Sequence, residues 1–252
     1  MSGHSKWSQI KRQKGVADQR RGQLFTKLTK EIMVAVREGG NDPAHNVRLR
    51  LAIAKARDNN MPLENIERAI KRAAGEGEGA NFAEATLEGY GPGGVAVLLH
   101  ILTDNRNRAI QGIRNAFTRG GRSLGEAGCV SWLFEPKGVI ILDTGQIDAE
   151  EAALLAIDAG AEDVRVEKGY LEIHTEPSKL EAVRQALEER NLSLVSAEVL
   201  LIPKTTLVLE EKEALQALRF LDKLEELEDV QRVFSNIDFS EEVLERLRAQ
   251  GV

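Results

Sequence analysis

The chain has 252 residues, with 34 Lys and Arg against 40 Asp and Glu and a formal net charge of −6 at pH 7. At roughly 150 residues per domain, this length predicts two domains or three small ones. Cys129 is the single cysteine, which excludes a disulfide-stabilised scaffold and a cysteine-based zinc module. Aromatic residues make up 4% of the chain, a small share for a protein that binds single strands by base stacking.

No segment of the sequence has the composition of a membrane span or a secretory signal. The longest stretch without an acidic or basic side chain is Gly89–Thr103, which has 15 residues and contains four glycines and a proline. A membrane-spanning helix needs about 20 apolar residues. The N-terminal sequence MSGHSKW lacks the apolar run of a signal peptide. We therefore expect a cytoplasmic protein without a membrane partner.

The charge is distributed unevenly along the chain. Residues 1–75 carry 16 Lys and Arg against 7 Asp and Glu, a net charge of +9, whereas the remainder carries 18 against 33, a net charge of −15. Such a division predicts a basic binding region and an acidic body. The acidic body has two candidate roles, binding a protein partner or solubility, and we expect it to limit indiscriminate binding to nucleic acid.

The basic region is predicted to consist of a polar arm followed by three helices. Apolar residues recur at helical spacing, and a Gly-Gly pair suits the end of the first helix. The predicted apolar face of the second helix contains Val47, Leu51 and Ala54. Pro62 suits the first position of the third helix, where its missing N–H is not needed. The arm covers residues 1–21, and the helices cover residues 22–38, 44–59 and 62–73.

The rest of the chain follows a pattern of alternating strands and helices. Gly75, Gly77 and Gly79 suit a linker, and the dense apolar run Val95–Thr103 predicts a central strand. Further strands are predicted over Cys129–Phe134, Val139–Leu142, Val164–Val166, Tyr170–His174, Leu194–Ile202, Thr206–Leu209 and Val230–Phe234. Helices are predicted over Arg106–Arg119, Ala149–Ala159, Ser178–Glu189 with Ser178 as its cap, and Glu211–Glu226, and a short acidic helix closes the chain.

The order of these elements predicts the domain organisation. Residues 137–202 give βαββαβ, the order of a ferredoxin-like unit. Residues 94–135 and 206–234 each give βαβ, and together they form a second such unit interrupted by the first. We therefore predict an α+β multidomain fold, in which an N-terminal three-helix domain precedes two ferredoxin-like α/β domains, one inserted in the other. The predicted boundaries are 1–79 for the arm and helical nucleic-acid-binding domain, 80–135 with 204–252 for the discontinuous α/β domain, and 136–203 for the inserted domain.

Residues that could support catalysis do not cluster in the sequence. The four histidines lie in separate segments, so no protein-built metal site is expected. Cys129 lies in an apolar predicted strand and is interpreted as a small core residue. The glycine-rich segment Glu88–Gly94 lacks the Gly-Lys-Ser/Thr ending of a phosphate-binding loop and precedes a strand, so it is interpreted as a flexible turn or backbone contact point. We therefore expect a non-enzymatic protein without a cofactor, a metal or a small-molecule substrate.

The arm and the three predicted helices carry basic side chains in a chain that is otherwise acidic. Each phosphate that a Lys or Arg neutralises releases counterions, so such a surface is expected to bind nucleic acid in a salt-dependent manner. For any single helix, a solvated surface is the alternative interpretation. The candidate nucleic-acid-binding residues are Lys6, Trp7, Lys11, Arg12, Lys14, Arg20, Arg21, Lys27, Lys30, Arg48, Arg50, Lys55, Arg57, Arg68, Lys71 and Arg72.

A second basic patch follows Asp104. Between Asn105 and Gly125 there are five arginines and no acidic residue, and the planar guanidinium group suits phosphate. Two interpretations stay open, phosphate binding and pairing with the acidic helices of the same fold. The arginines of this second patch are Arg106, Arg108, Arg114, Arg119 and Arg122.

The sequence resembles the YebC/PmpR family in six specific segments spread between residues 2 and 135. The last hundred residues match the family in pattern more than in motif. The segments are Ser2–Trp7, Arg21–Leu28, Asn59–Ile70, Glu88–Gly94, Thr103–Arg108 and Gly128–Trp132.

The resemblance implies a cytoplasmic bacterial protein with a helical N-terminal domain and two α/β domains. Members of the family are described as DNA-binding transcriptional regulators, which is the first function implied. An organellar branch activates translation, and bacterial members are linked to ribosomes stalled on proline-rich sequences. The alternative is therefore a ribosome-associated translation factor that binds ribosomal RNA or tRNA. The arm lacks a histidine that relatives often carry beside the lysines of Gln9–Lys14, which argues against a base-specific role for the arm.

The two functions predict different contacts. A regulator of duplex DNA places a helix in the major groove, and the break at residues 59–61 permits a helix-turn-helix-like pair. Beyond Asn65 and Arg68, however, the start of the third helix has no cluster of side chains suited to reading base edges. A translation factor makes broad phosphate contacts through the arm and residues 106–122 and reads RNA shape more than sequence.

Overall fold

The computed structural model describes residues 18–75, 82–145, 147–167, 169–240, 242–243 and 246. Within these ranges the chain divides into an inserted unit, Trp132–Thr206, and a host unit made of the segments before and after it. Residues 1–17 of the predicted arm lie outside the described residues, as do the linker glycines Gly77 and Gly79 and most of the predicted C-terminal helix. Residues 18–21, which were also assigned to the arm, instead form the start of the first helix. For residues 18–20, only the backbone is described.

The host unit begins with three helices, which we call the helical region. Their core contains Leu28, Ile32, Leu49 and Ile66, each 2% exposed or less. The predicted Gly-Gly stop of the first helix is confirmed, because Gly40 has the left-handed φ of 85° that glycine adopts readily. The helices are α1 (Asp18–Gly39), α2 (Val47–Asp58) and α3 (Leu63–Ala74).

The buried face of α2 differs from the predicted one. Leu49 and Ala52 are buried, whereas Val47 and Leu51 are 57% and 60% exposed. The buried side chain of Asn46 accounts for this rotation. Its Oδ1 accepts the backbone N–H of Leu49, and its Nδ2 donates to the carbonyls at the end of α1. The cap therefore fixes which side of α2 packs on α1, and the apolar spacing alone gave the wrong face.

The rest of the host unit is an antiparallel sheet with two helices. The strand order is β1-β2-β8, with a separate short parallel pair β7-β9. As predicted, β2 is central and almost entirely buried. The core between sheet and helices includes Leu99, Ile113, Phe117 and Leu221. The elements are β1 (Ala83–Tyr90), β2 (Ala96–Thr103), α4 (Arg106–Arg119), β7 (Leu207–Val208), α7 (Glu211–Glu225), β8 (Val230–Ser235) and β9 (Ile237–Asp238).

This topology corrects the two βαβ halves expected for the host unit. The strand predicted over Cys129–Phe134 is absent, since the chain turns at Cys129 and then forms a short 3-10 helix, Ser131–Leu133. Instead, β1 pairs with β2, although its sequence of small and charged residues did not predict a strand. The apolar run was misleading because the backbone N–H groups of Val130 and Ser131 donate to the side chain of Glu88 and not to a neighbouring strand.

The inserted unit has the element order βαββαβ and the antiparallel strand order β4-β5-β3-β6. Ile140, Leu142, Leu171 and Ile173 form its core with the two helices. Ser178 does not cap the second helix, as was predicted, because it lies inside a 3-10 turn that precedes that helix. The elements are β3 (Phe134–Asp143), α5 (Ala149–Asp158), β4 (Asp163–Glu167), β5 (Tyr170–Thr175), α6 (Leu180–Glu189) and β6 (Leu194–Pro203).

Candidate nucleic-acid interface

A cleft of about 480 Å³ lies in the host unit where α1 and α3 meet the α/β part. Three of the segments that carry the family resemblance contribute to it: Arg21–Leu28, Asn59–Ile70 and Thr103–Arg108. Its apolar lining comes from Phe25, Met33, Met61, Ala69 and Phe82. Its polar lining comes from Thr26, Thr29, Lys30, Asn65, Arg68, Arg72, Asp104, Arg108 and Glu228. The fold therefore brings residues from the first basic region and the second basic patch to one concave surface.

Three arginines around the cleft have exposed guanidinium groups. Arg68 and Arg72 are one turn apart on α3, and neither forms an ion pair with any described residue. The guanidinium carbon of Arg21 lies 5.6 Å from the centre of the Phe25 ring, in cation–π contact. These charges are available to an anionic ligand.

An ion-pair network joins the helical region to the α/β part in the lining of the same cleft. Nζ of Lys30 lies 3.0 Å from Oε1 of Glu228 and 3.1 Å from Oδ1 of Asp229. Nη2 of Arg108 lies 2.7 Å from Oδ1 of Asp104 and 3.3 Å from Oδ1 of Asp229. The hydrogen bond to Asp104 and the charge of Asp229 raise the pKa of Arg108. Asp229 is thus shared between a cation of α1 and a cation of α4.

Lys27 forms a second link between the same two parts. Its Nζ donates a hydrogen bond of 2.6 Å to the backbone carbonyl of Glu225, at the end of α7. Burial lowers the pKa of Lys27 to about 8, although the carboxylate of Glu225 opposes this shift. The ammonium group is therefore held in a place that disfavours its charge.

These contacts alter the set of candidate nucleic-acid-binding residues in the helical region. Lys27 and Lys30 are used inside the host unit, Arg48 pairs with Glu38 and Glu84, and Lys55 pairs with Glu31. The charges of these four candidates are already bonded within the fold, so the exposed cations without an ion pair among the described residues are the ones that we propose for the nucleic-acid surface. The candidates that are exposed and form no ion pair with a described residue are Arg21, Arg50, Arg57, Arg68, Lys71 and Arg72.

The remaining candidates of the first basic region cannot be placed. Lys6, Trp7, Lys11, Arg12 and Lys14 lie outside the described residues, and the side chain of Arg20 is not described either.

The second basic patch separates into one paired and four unpaired arginines. Arg108 is engaged by Asp104 and Asp229, which is the pairing interpretation left open by the sequence. The other four are exposed and form no ion pair within the described ranges. They are Arg106, Arg114, Arg119 and Arg122.

Glu88 is a structural residue that sequence reasoning missed. Its carboxylate is 6% exposed and accepts the backbone N–H groups of Gly128, Val130 and Ser131 at 2.8–2.9 Å. Burial acts to raise the pKa of Glu88, but the three backbone donors outweigh it and lower the pKa. Two family-like segments, 88–94 and 128–132, therefore meet through this side chain. An acidic residue before a glycine-rich turn was the only signal in the sequence.

Cys129 does not lie in a strand, contrary to the prediction. It is half-buried in the loop held by Glu88, and burial together with the Glu88 charge raises the pKa of its thiol. A raised pKa lowers the thiolate fraction that a nucleophile needs. No group of three or more His, Cys, Asp or Glu side chains in the described ranges is arranged to hold a metal ion. No described helix is both long and apolar enough to cross a membrane.

Comparison with known proteins identifies the family. The TACO1/YebC second and third domain matches residues 82–237, and the TACO1/YebC N-terminal domain matches residues 5–76. The chain therefore belongs to the TACO1/YebC family.

Relatives of the chain cover its whole length. A protein of Dehalococcoides mccartyi strain BAV1, named a probable transcriptional regulatory protein, is 55% identical over 251 residues and covers 100% of both chains. A protein of Trichlorobacter lovleyi with the same descriptive name is 51% identical over 98% of this chain and 100% of its own. The crystal structure of a conserved hypothetical protein from Aquifex aeolicus is similar with a TM-score of 0.81 and 46% identity, covering 89% of this chain and 93% of that one. The names of the two sequence relatives are those of regulatory proteins.

Proposed function

We propose that the protein is a non-enzymatic, nucleic-acid-binding regulator that acts on DNA in the control of transcription. The observation that carries the proposal is the set of exposed arginines and lysines in the helical region and on α4 that have no ion-pair partner among described residues. Phosphates bind such a surface with release of counterions. The names of the family relatives support the same function.

The charged face of α3 indicates how this contact is made. Its first turn carries Glu64, whereas Arg68 lies at its middle and Lys71 and Arg72 lie in its last turn. A helix that entered a DNA groove by its N-terminus would bring Glu64 towards phosphates, which is unfavourable. We therefore propose that the part of α3 from Arg68 onwards contacts the phosphate backbone, together with Arg50, Arg57 and the arm. Such contacts position a nucleic acid without reading its sequence.

Crosslinking in living cells tests the proposed function. The protein is crosslinked to its bound nucleic acid, and the attached fragments are sequenced. The proposal predicts discrete enrichment of promoter DNA, and a variant in which Arg68, Lys71 and Arg72 are changed to Glu loses it. Recovery of ribosomal RNA without promoter DNA would contradict a role in transcription and favour the alternative of a translation factor. Recovery of neither would contradict nucleic-acid binding altogether.

Four further statements belong to the proposal. We propose a cytoplasmic location, and we retain the division into domains at 1–79, 80–135 with 204–252, and 136–203. We also propose the ferredoxin-like class for the inserted unit, on the basis of its element order and strand order. The acidic α/β part is proposed to limit nonspecific binding to nucleic acid.

A further inference from the structure

The cleft of the host unit combines an apolar lining with cations on α3 that form no ion pair with a described residue, whereas its other cations, Lys30 and Arg108, are ion-paired. Phe25 and Phe82 line it as half-buried side chains, and Met33 and Met61 line it with 3% and 5% exposure. At about 480 Å³, its size falls in the range of about 300–1,000 Å³ that is usual for small-ligand sites. An apolar lining of this kind suits the flat face of a nucleobase better than it suits a hydrated phosphate.

The charges of the cleft give it a direction. On one wall, Arg68 and Arg72 project from successive turns of α3 without an ion-pair partner among described residues. Elsewhere in the lining, Asp104 and Glu228 are bonded to Arg108 and Lys30, so that part of the cleft has no excess of positive charge. These charges favour a single orientation for a ligand with one anionic group and one flat apolar group, with the anion at α3.

We infer that the cleft binds one unpaired nucleotide of the nucleic-acid target, with its phosphate at Arg68 and Arg72 and its base against Phe25 and Phe82. This inference rests on the proposed function and specifies its ligand. A base that is paired within a duplex is stacked and cannot enter a cleft, so the target must present a single strand, a loop or a flipped base.

The methionines of the chain provide a direct probe of the cleft. There are three methionines, Met1, Met33 and Met61, and the last two line the cleft. The full chain is labelled with ¹³C in the methionine methyl groups and titrated with single-stranded DNA or RNA of about six nucleotides. The methyl signals of Met33 and Met61 are expected to shift because of the ring current of the bound base. A duplex of the same sequence is expected to leave these two signals in place.

A pair of adjacent residues on α3 supplies a matched control. Arg72 and Lys71 are both exposed, but only Arg72 lines the cleft. We expect Arg72→Gln to weaken binding of the single strand about tenfold and Lys71→Gln, which removes a phosphate contact outside the cleft, to weaken it by a clearly smaller factor. Phe25→Leu keeps the charge and the apolar character but removes the ring, and we expect it to weaken binding about fivefold.

The outcomes separate the inference from the function on which it rests. Equal losses for the two α3 variants would show a general charge effect and overturn the inference. Binding of duplex and single strand without a shift of the Met33 and Met61 signals would overturn the inference and leave the proposed function intact. Failure of both nucleic acids to bind would overturn both.

Discussion

Nζ of Lys30 lies 3.1 Å from Oδ1 of Asp229, and these two side chains are only 9% and 12% exposed. Lys30 belongs to α1, and Asp229 immediately precedes β8. The pair therefore fixes the helical region to the α/β part of the host unit through charges that are largely withdrawn from water. Each charge depends on the other, because an unpaired charge in such a place is strongly destabilising.

Removal of one partner of this pair is expected to destabilise the protein. Asp229→Ala leaves the ammonium group of Lys30 without its buried partner and also frees Arg108. We expect the free energy of unfolding to fall by about 3 kcal/mol, as measured by urea unfolding. Glu228→Ala is the matched control, because Glu228 also pairs with Lys30 but is 62% exposed. Its loss is expected to be below about 1 kcal/mol, and equal losses would contradict the importance of burial.

The lowered pKa of Lys27 predicts a stability that depends on pH. Below about pH 8, Lys27 is protonated in both the folded and the unfolded state, and the folded state bears the full penalty of the buried charge. Between about pH 8 and the ordinary pKa of 10.5, only the unfolded state remains protonated, so this contribution to stability improves as the pH rises.

Lys27→Met removes this dependence. We expect the variant to be more stable than the parent by about 2 kcal/mol at neutral pH, since the lost hydrogen bond to the Glu225 carbonyl offsets part of the relieved penalty. The difference is expected to shrink as the pH approaches about 10. Urea unfolding at both pH values measures it. Lys71→Met, at an exposed position, is the control and is expected to change stability by less than about 0.5 kcal/mol. A gain in stability that is the same at both pH values would contradict the assignment of the penalty to the buried charge of Lys27.

Glu88 is expected to stabilise the loop 125–131 as a carboxylate. In Glu88→Gln, an amide N–H₂ replaces one acceptor oxygen and faces backbone N–H donors. We therefore expect the free energy of unfolding to fall by about 1–3 kcal/mol at pH 7. Because its folded pKa is lowered, the advantage of the carboxylate is present above the ordinary Glu value and disappears as the pH falls through the folded value. Thermal unfolding of both proteins at pH 7 and at about pH 3 checks this. If the difference in stability between the two proteins is the same at both pH values, the ionised carboxylate is not its cause.

The arm is expected to contribute to nucleic-acid binding through its charge. We expect the triple change of Lys11, Arg12 and Lys14 to Glu to abolish binding at about 150 mM salt without affecting the fold, because surface charges contribute little to stability. The matched control changes Lys212, Arg219 and Lys223 to Glu, which makes the same charge change at exposed positions of α7. Fluorescence anisotropy with a labelled nucleic acid measures both. Unchanged binding by the arm variant would rule out the role of the arm.

The sequence predicted those elements whose apolar pattern is complete within one segment. The predicted bounds of α4, Arg106–Arg119, are those of the structure, because Ile113 and Phe117 recur on one helical face. Strand β1 was missed because its burial is confined to one end and its residues are mostly small or charged. The face of α2 was wrong because Asn46, a polar residue before the helix, determines its rotation.

The positive charge of the candidate site could be predicted from the sequence, but which of its cations are free of ion pairs could not. The excess of Lys and Arg in the first 75 residues is visible in the composition. Which of these cations is already bonded depends on partners far along the chain, as Lys30 and Asp229 are separated by 199 positions. A single sequence does not contain that pairing, so only the folded chain distinguishes Arg68 and Arg72 from Lys27 and Lys30.

In the inserted unit, the start of its first strand, β3, lies beside the end of its last strand, β6. Phe134 is paired with Pro203, and the backbone N–H of Lys204 donates to the carbonyl of Leu133 at 2.8 Å. For the host unit, the insertion is therefore equivalent to a short closed loop. The entropic cost of bringing its two ends together is offset by contacts within the insertion itself. We therefore expect the order of β2, α4 and α7 to be kept when the unit is replaced by a tight turn or exchanged for another module with adjacent termini.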